Sequence, residues 1–237
     1  MRDDQQDNIY LNGAYLLLMP SDEFGLKSFF PAIKSLYAGA DPAHDFSHIL
    51  RVYRNAAIIG REEGADMQIL LLAALLHDVG EKKSGLAGVG RNGPGREKAE
   101  SLLRQMGLLQ ERIGQVLYAV DVHRYSMGII PDSLEARILQ DADRLDAMGA
   151  IGIARVFMTG GTLGRRMYHP ADPFCREREP DDGKWNLDHF YRKLLCLGAG
   201  MHTKSARRLA SKRTDVLRRY LIDLEEEIGD LGGLCDL

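Results

Sequence analysis

Residues Met67 to Leu76 are apolar on nearly every face of the helix they would form, and His77-Asp78 follows at once. A helix that is apolar all round belongs inside a core, so the chain must build its other elements around this segment. An isolated carboxylate at the end of such an element costs many kcal/mol unless it is paired, metal-bound or protonated. Asp78 therefore needs partners. With His77, His48 upstream and Asp143 downstream complete an N/N/O/O set that suits a divalent transition metal or Mg. Such a set leaves an octahedral ion about two open positions, the feature that separates a catalytic from a structural site.

The surrounding pattern is helical. Asp41-Pro42 reads as an N-cap with proline at the first helical position, and the stripe Phe46, Ile49, Leu50, Tyr53, Ala57, Gly60 repeats at helical spacing to about Gly64. His48 lies opposite that stripe, beside Val52 and Ile59, so this helix is expected to be buried on two faces. Asp66 caps the central helix, which stops near Gly80. Asp132 and Glu135 form a capping box for a long helix to about Met158. On it, Asp143 shares a row with Ala136, Leu139, Ala147, Ala150 and Ala154, whereas Asp141 and Arg144 point elsewhere. Asp143 is thus the better ligand candidate, and Asp146 a further candidate carboxylate, catalytic or supporting the ligands. Shorter helices are expected over 99–108, 113–123 and 187–197, and a longer one over 203–228. No alternating strand pattern of useful length occurs. The fold class expected is all-α, a bundle of about seven to nine helices.

Composition narrows the partners. A net charge of −3 over 237 residues gives no electrostatic footprint for a nucleic acid polymer. Cys175, Cys196 and Cys235 are odd in number and lack CxxC spacing, which fits a reducing cytoplasm. The apolar stretch 14–19 is too short to span a bilayer. Two segments interrupt the helices, a glycine-rich one at 81–95 and a longer Gly/Pro-rich one at 159–188, and both are placed to roof a site. Gly88-Val-Gly90-Arg-Asn-Gly93 satisfies GxGxxG but has no strand before it, so a dinucleotide site is rejected. HExxH, deaminase and serine-hydrolase motifs are missing as well. The basic segment 204–219 is interleaved with Leu209, Val216, Leu217 and Tyr220, as on an amphipathic helix rather than a nucleic-acid stripe.

The ordered motifs Ala43-His44-Asp-Phe-Ser-His48-Ile-Leu-Arg51, Ala73-Ala-Leu-Leu-His77-Asp78-Val-Gly and Gln140-Asp-Ala-Asp143-Arg144-Leu-Asp146 resemble the HD-domain metal-dependent phosphohydrolases. The resemblance covers about residues 41–157. Asp172-Pro-Phe and His189-Phe-Tyr-Arg-Lys193-Leu-Leu extend it to about Arg213, toward a bacterial subgroup of small HD hydrolases. It implies an HD domain over 41–237 behind an N-terminal helical extension, 1–40, for which no resemblance is found.

Carried over by position, the resemblance implies that His48, His77, Asp78 and Asp143 hold one divalent ion (Mn, Mg, Ni, Co, Fe or Zn). The implied substrate is a small phosphorylated molecule, a nucleotide or deoxynucleotide by preference. Asp78 and Asp146 are the candidate catalytic carboxylates together with Glu81, which completes a His-Asp-x-x-Glu arrangement similar to that of HD-type nucleotidases. Arg144 and His123 resemble phosphate-contacting residues of the family. His44, Arg51, Lys193 and Arg155 are further candidates for substrate contact. A homo-oligomer is compatible with the apolar patch at 10–19. The competing reading is a nucleotide-sensing or structural metal-binding HD module without catalysis.

Overall fold

The computed structural model describes residues 24–37, 46–79, 94–124 and 127–229. The expected cap at Asp41-Pro42, His44, Glu81, the glycine-rich run 88–93 and Cys235 lie outside them. Among the described residues there are nine α-helices: α1 (Leu26–Ser35), α2 (Phe46–Glu63), α3 (Met67–Leu76), α4 (Pro94–Gln105), α5 (Gln110–Asp121), α6 (Leu134–Asp146), α7 (Gly149–Thr162), α8 (Asp188–Arg192) and α9 (Lys204–Ile228). A 3-10 segment, Leu194–Gly200, joins α8 to α9. The described residues hold no strand, only an isolated bridge between Arg166 and Trp185. The chain is all-α. No helix of the described residues is long and apolar enough to cross a membrane.

The chain divides into two compact units, Met1–Ala142 and Asp143–Leu237, with α6 running through the boundary. In the first unit α3 is the core, and every residue from Ile69 to Leu76 is buried. Its apolar sequence leaves no face for water, so α2 and α5 pack against it. Asp66 caps it as expected, accepting the N–H groups of Gln68 and Ile69. The same carboxylate takes a two-pronged contact from Arg112 on α5. In the second unit α9 packs on α7 and on the 3-10 segment, and Thr203 caps it by accepting the Ala206 N–H.

Three expectations change. The long helix to Met158 is two helices. α6 closes through short-range bonds from Ala147 and Met148 to the Arg144 and Leu145 carbonyls, and Gly149 takes φ +66°, a left-handed conformation that interrupts the α-helix. The cap of α6 is Ser133, whose hydroxyl accepts the Ala136 N–H, not Asp132. Glu135 reaches instead to the backbone N–H of Asp66, 3.0 Å away, so a tertiary partner displaces the local capping box. Finally, the helix expected over 187–197 is the short α8 followed by 3-10 turns.

The segment 163–187 is a strap held around Asp188. That carboxylate is fully buried and accepts both guanidinium arms of Arg178, at 2.5 and 2.7 Å, and the Asp181 N–H at 2.6 Å. Asp172 caps the turn before it by accepting the Arg176 and Glu177 N–H groups.

Candidate metal centre

Three helix ends of the first unit bring their polar side chains together. His48, in the first turn of α2, is 1% exposed. His77 ends α3 in a right-handed helical conformation and is fully buried, with Asp78 8% exposed behind it. The three residues each offer one ligand atom, all within 4.8 Å of one another. His48 Nε2 and His77 Nε2 stand 3.3 Å apart, and each is 3.5 Å from Asp78 Oδ2. His123, which follows α5, puts its Nε2 3.4 Å from the other carboxylate oxygen, Oδ1.

The tautomers follow from the backbone. His77 Nδ1 lies 2.9 Å from the Ala74 carbonyl and His123 Nδ1 lies 2.6 Å from that of Val120. A carbonyl only accepts, so both Nδ1 atoms carry hydrogen, and Nε2 is the atom that each ring offers to a cation or a proton beside Asp78. Lone pairs and an anionic oxygen crowded in a buried space repel one another unless a cation or protons lie among them. A cation with bonds of about 2.1 Å holds neighbouring ligands about 3.0–3.4 Å apart, close to the spacings seen here. The donor set fits a divalent ion. With protons on these rings, burial pushes the Asp78 carboxyl up, but the charge of His77 and the hydrogen bonds from His123 and His48 outweigh it and hold it well below the usual carboxylate range.

Neighbouring residues fix this geometry. Gln140 is 1% exposed and donates to the carbonyls of Val122, at 2.7 Å, and Ile129, at 3.0 Å, which anchors the turn carrying His123. Asn55 donates to the Ala142 carbonyl at 3.1 Å and joins α2 to α6. Tyr37, just beyond α1, donates to the Leu75 carbonyl at 2.7 Å. Burial, and then the charge of Asp78, push its phenol well above the ordinary value. Tyr37 was not singled out in the sequence, although Phe30, Ile33 and Tyr37 fall at the i, i+3, i+7 spacing of a buried helix face.

The other candidates are placed as follows. Arg51 is half-buried and donates to the Ser47 hydroxyl at 2.9 Å. Asp141 is fully buried, whereas Asp143, the first residue of the second unit, is half-buried. Along its row Ala136 and Leu139 are buried, while Ala150 and Ala154 are exposed. Arg144 is 4% exposed and donates to the Gly200 carbonyl. Asp146, 1% exposed, pairs with Arg155 at 2.7 Å. Lys193 is exposed at the C-terminal end of α8.

Residues 45–148 match the family described as HD domain. Over 203 residues the chain is 32% identical to the uncharacterised protein YpgQ of Bacillus subtilis, covering 83% of this chain and 90% of YpgQ. The chain belongs to the HD superfamily of hydrolases. Among solved HD structures, an HD-superfamily hydrolase from Bacillus thuringiensis is similar at 32% identity and TM-score 0.69, over 87% of this chain and 98% of that one. YpgQ in complex with ADP is similar at TM-score 0.66, over 86% and 94% of the two chains, at 32% identity. An HD superfamily member from an uncultured Thermotogales bacterium matches at 31% identity and TM-score 0.60, over 86% and 93%.

Proposed function

We propose that the chain is a metal-dependent phosphohydrolase that cleaves a phosphoester or phosphoanhydride of a small molecule, with a nucleotide or deoxynucleotide as the substrate class. The convergence of His48 Nε2, His77 Nε2 and Asp78 Oδ2 in a buried cluster carries this reading. In it these three side chains hold one divalent ion, and Asp143 is assigned as the fourth ligand on the strength of the motif resemblance. When bound, such an ion polarises a phosphoryl oxygen and makes a nearby water more acidic.

The chain's own groups supply the rest. His77 is held in its ligating tautomer by the Ala74 carbonyl, and His123 in its own by Val120. His123 Nε2 faces Asp78 Oδ1, away from the oxygen that the other two imidazoles approach, and is read as the substrate-contacting imidazole. Arg144 remains the candidate phosphate contact on resemblance. Asp146, committed to Arg155, is read as the residue that positions that guanidinium. Nucleotides are favoured because a relative, YpgQ, was solved with ADP.

The test is an assay of the purified protein with Mn, Mg, Ni, Co, Fe and Zn against nucleotides and phosphomonoesters, beside Asp78→Ala. Metal-dependent release of phosphate or pyrophosphate, lost in the variant, is expected. A tightly held ion with no turnover of any phosphorylated compound would replace this reading by a sensing or structural module.

A further inference from the structure

The geometry points to an oligophosphate cavity inside the second unit, built by Arg155, Arg165, His189 and Lys193 and suited to pyrophosphate or the phosphate chain of a nucleotide. The inference rests on the reading that the chain handles phosphorylated compounds, and it names the part of them that this cavity takes.

A cavity of about 300 Å³ opens among α7, the start of the strap and α8. Its lining holds three permanent cations, one histidine and the Thr159 hydroxyl, and none of the described residues that line it is acidic. The nearby carboxylates are already engaged. Asp146 accepts from Arg155 at 2.7 Å. Asp182 meets His189 Nδ1 at 2.8 Å and Arg192 Nε at 3.4 Å. Lys193 and Arg165 form no ion pair within the described residues, and Arg165 acts on Asp182 only at longer range. The cavity therefore carries surplus positive charge, which an anion removes most effectively where low-dielectric walls focus the field.

Local structure fixes this array. α7 ends in a Schellman motif: Gly164 takes φ +67°, its N–H reaches the Gly161 carbonyl, and the Arg165 N–H reaches that of Gly160 at 2.8 Å. Arg165 is thereby placed immediately beyond the helix end. Gly152 lets the backbone at Ala147 approach closely, since a Cβ there would stand 2.3 Å from the Ala147 carbonyl oxygen. The Asp146 carboxylate, 2.7 Å from the Arg155 guanidinium, holds that side chain at the cavity wall. A volume at the lower end of ligand cavities suits a phosphate chain rather than a whole nucleotide.

The experiment is calorimetric titration of the full chain, dialysed free of metal, with pyrophosphate, inorganic phosphate, ADP and adenosine. Wild type is compared with Lys204→Glu, Arg165→Glu and Lys193→Glu, and circular dichroism checks that all are folded. Pyrophosphate and ADP should bind with similar affinity, phosphate more weakly, and adenosine not at all. Lys204→Glu, an exposed reversal outside the cavity lining, should leave the affinity unchanged. Each cavity reversal should weaken it by about tenfold or more, because it turns an attraction beside the bound anion into a repulsion. No saturable binding of pyrophosphate, binding indifferent to both cavity reversals, or an equal loss in Lys204→Glu would overturn the assignment. Binding without hydrolysis of any substrate keeps the cavity and removes the hydrolase reading, so the two fail separately.

Discussion

His123 Nε2 lies 3.4 Å from Asp78 Oδ1, while His48 and His77 approach the opposite oxygen, Oδ2, at 3.5 Å each. One carboxylate thus separates two imidazoles that share its Oδ2 from a third at its Oδ1. Replacing His48 or His77 by alanine should remove metal from the purified protein, because each supplies a nitrogen that nothing else in the cluster duplicates. His123→Ala should retain the metal and lower kcat/KM by about tenfold or more, as the loss of one hydrogen bond to a charged substrate group does. Metal content by mass spectrometry and turnover, measured on the same preparations, check the distinction. Loss of metal from His123→Ala would make it a ligand.

Tyr37 ties the N-terminal helix to the element that carries the His-Asp pair. Its hydroxyl donates to the Leu75 carbonyl at 2.7 Å, and the residue is 7% exposed. Tyr37→Phe keeps the ring contact with Phe46, whose centroid is 5.6 Å away, and removes only the donor. A buried carbonyl left without its partner costs about 1–3 kcal/mol. Thermal unfolding should fall by several degrees, with a smaller loss of metal affinity through the helix end. An unchanged Tm would mean that water replaces the phenol.

What was legible follows from the range of the forces involved. α3 was readable because eight consecutive buried residues, Ile69–Leu76, leave no alternative to a central position. That His48, His77 and Asp78 meet was readable because polar side chains on buried faces must find partners. Asp66 was readable as a cap because its bonds reach only two and three residues along the chain. Glu135 was misread because its partner, the Asp66 N–H, is 69 residues away, and local spacing carries no trace of it. The break at Ala147–Met148 was missed because no proline marks it. A single glycine inside a helical pattern is usually tolerated, and only its positive φ makes it an end. Tyr37 escaped for the same reason as Glu135, since its hydrogen bond spans 38 residues.

Acid should open the strap early. The Asp172 carboxyl is held below its ordinary value by the Arg176 and Glu177 N–H groups. Burial pushes the Asp182 carboxyl up, but His189 outweighs it and the net shift is also downward. A depressed folded pKa adds stability that is present above the unfolded value of about 4 and is lost as pH falls through the folded one. Trp185, the single tryptophan of the chain, sits in this segment and is half-buried. Its emission should shift to the red below about pH 4 while far-UV helicity persists. A shift that appears only together with helix loss would show that the strap has no separate transition.

The strongest single anchor of the strap is Asp188, fully buried and gripped by Arg178. Burial pushes the thiol of Cys175 up to about 12, and its contact with Asp188 pushes the same way, so that sulfur stays protonated and inert at neutral pH. Arg178→Met preserves the length of the side chain but leaves the Asp188 charge with only the Asp181 N–H and that thiol as partners. Breaking one partner from a buried pair costs about 3–5 kcal/mol. The variant should lose much of the stability of the second unit, seen as a lower Tm and faster proteolysis between residues 163 and 187. Asp188→Asn, combined with Arg178→Met, removes the stranded charge and should recover part of that loss. If the double variant is no more stable than Arg178→Met alone, then packing, not charge, sets the cost.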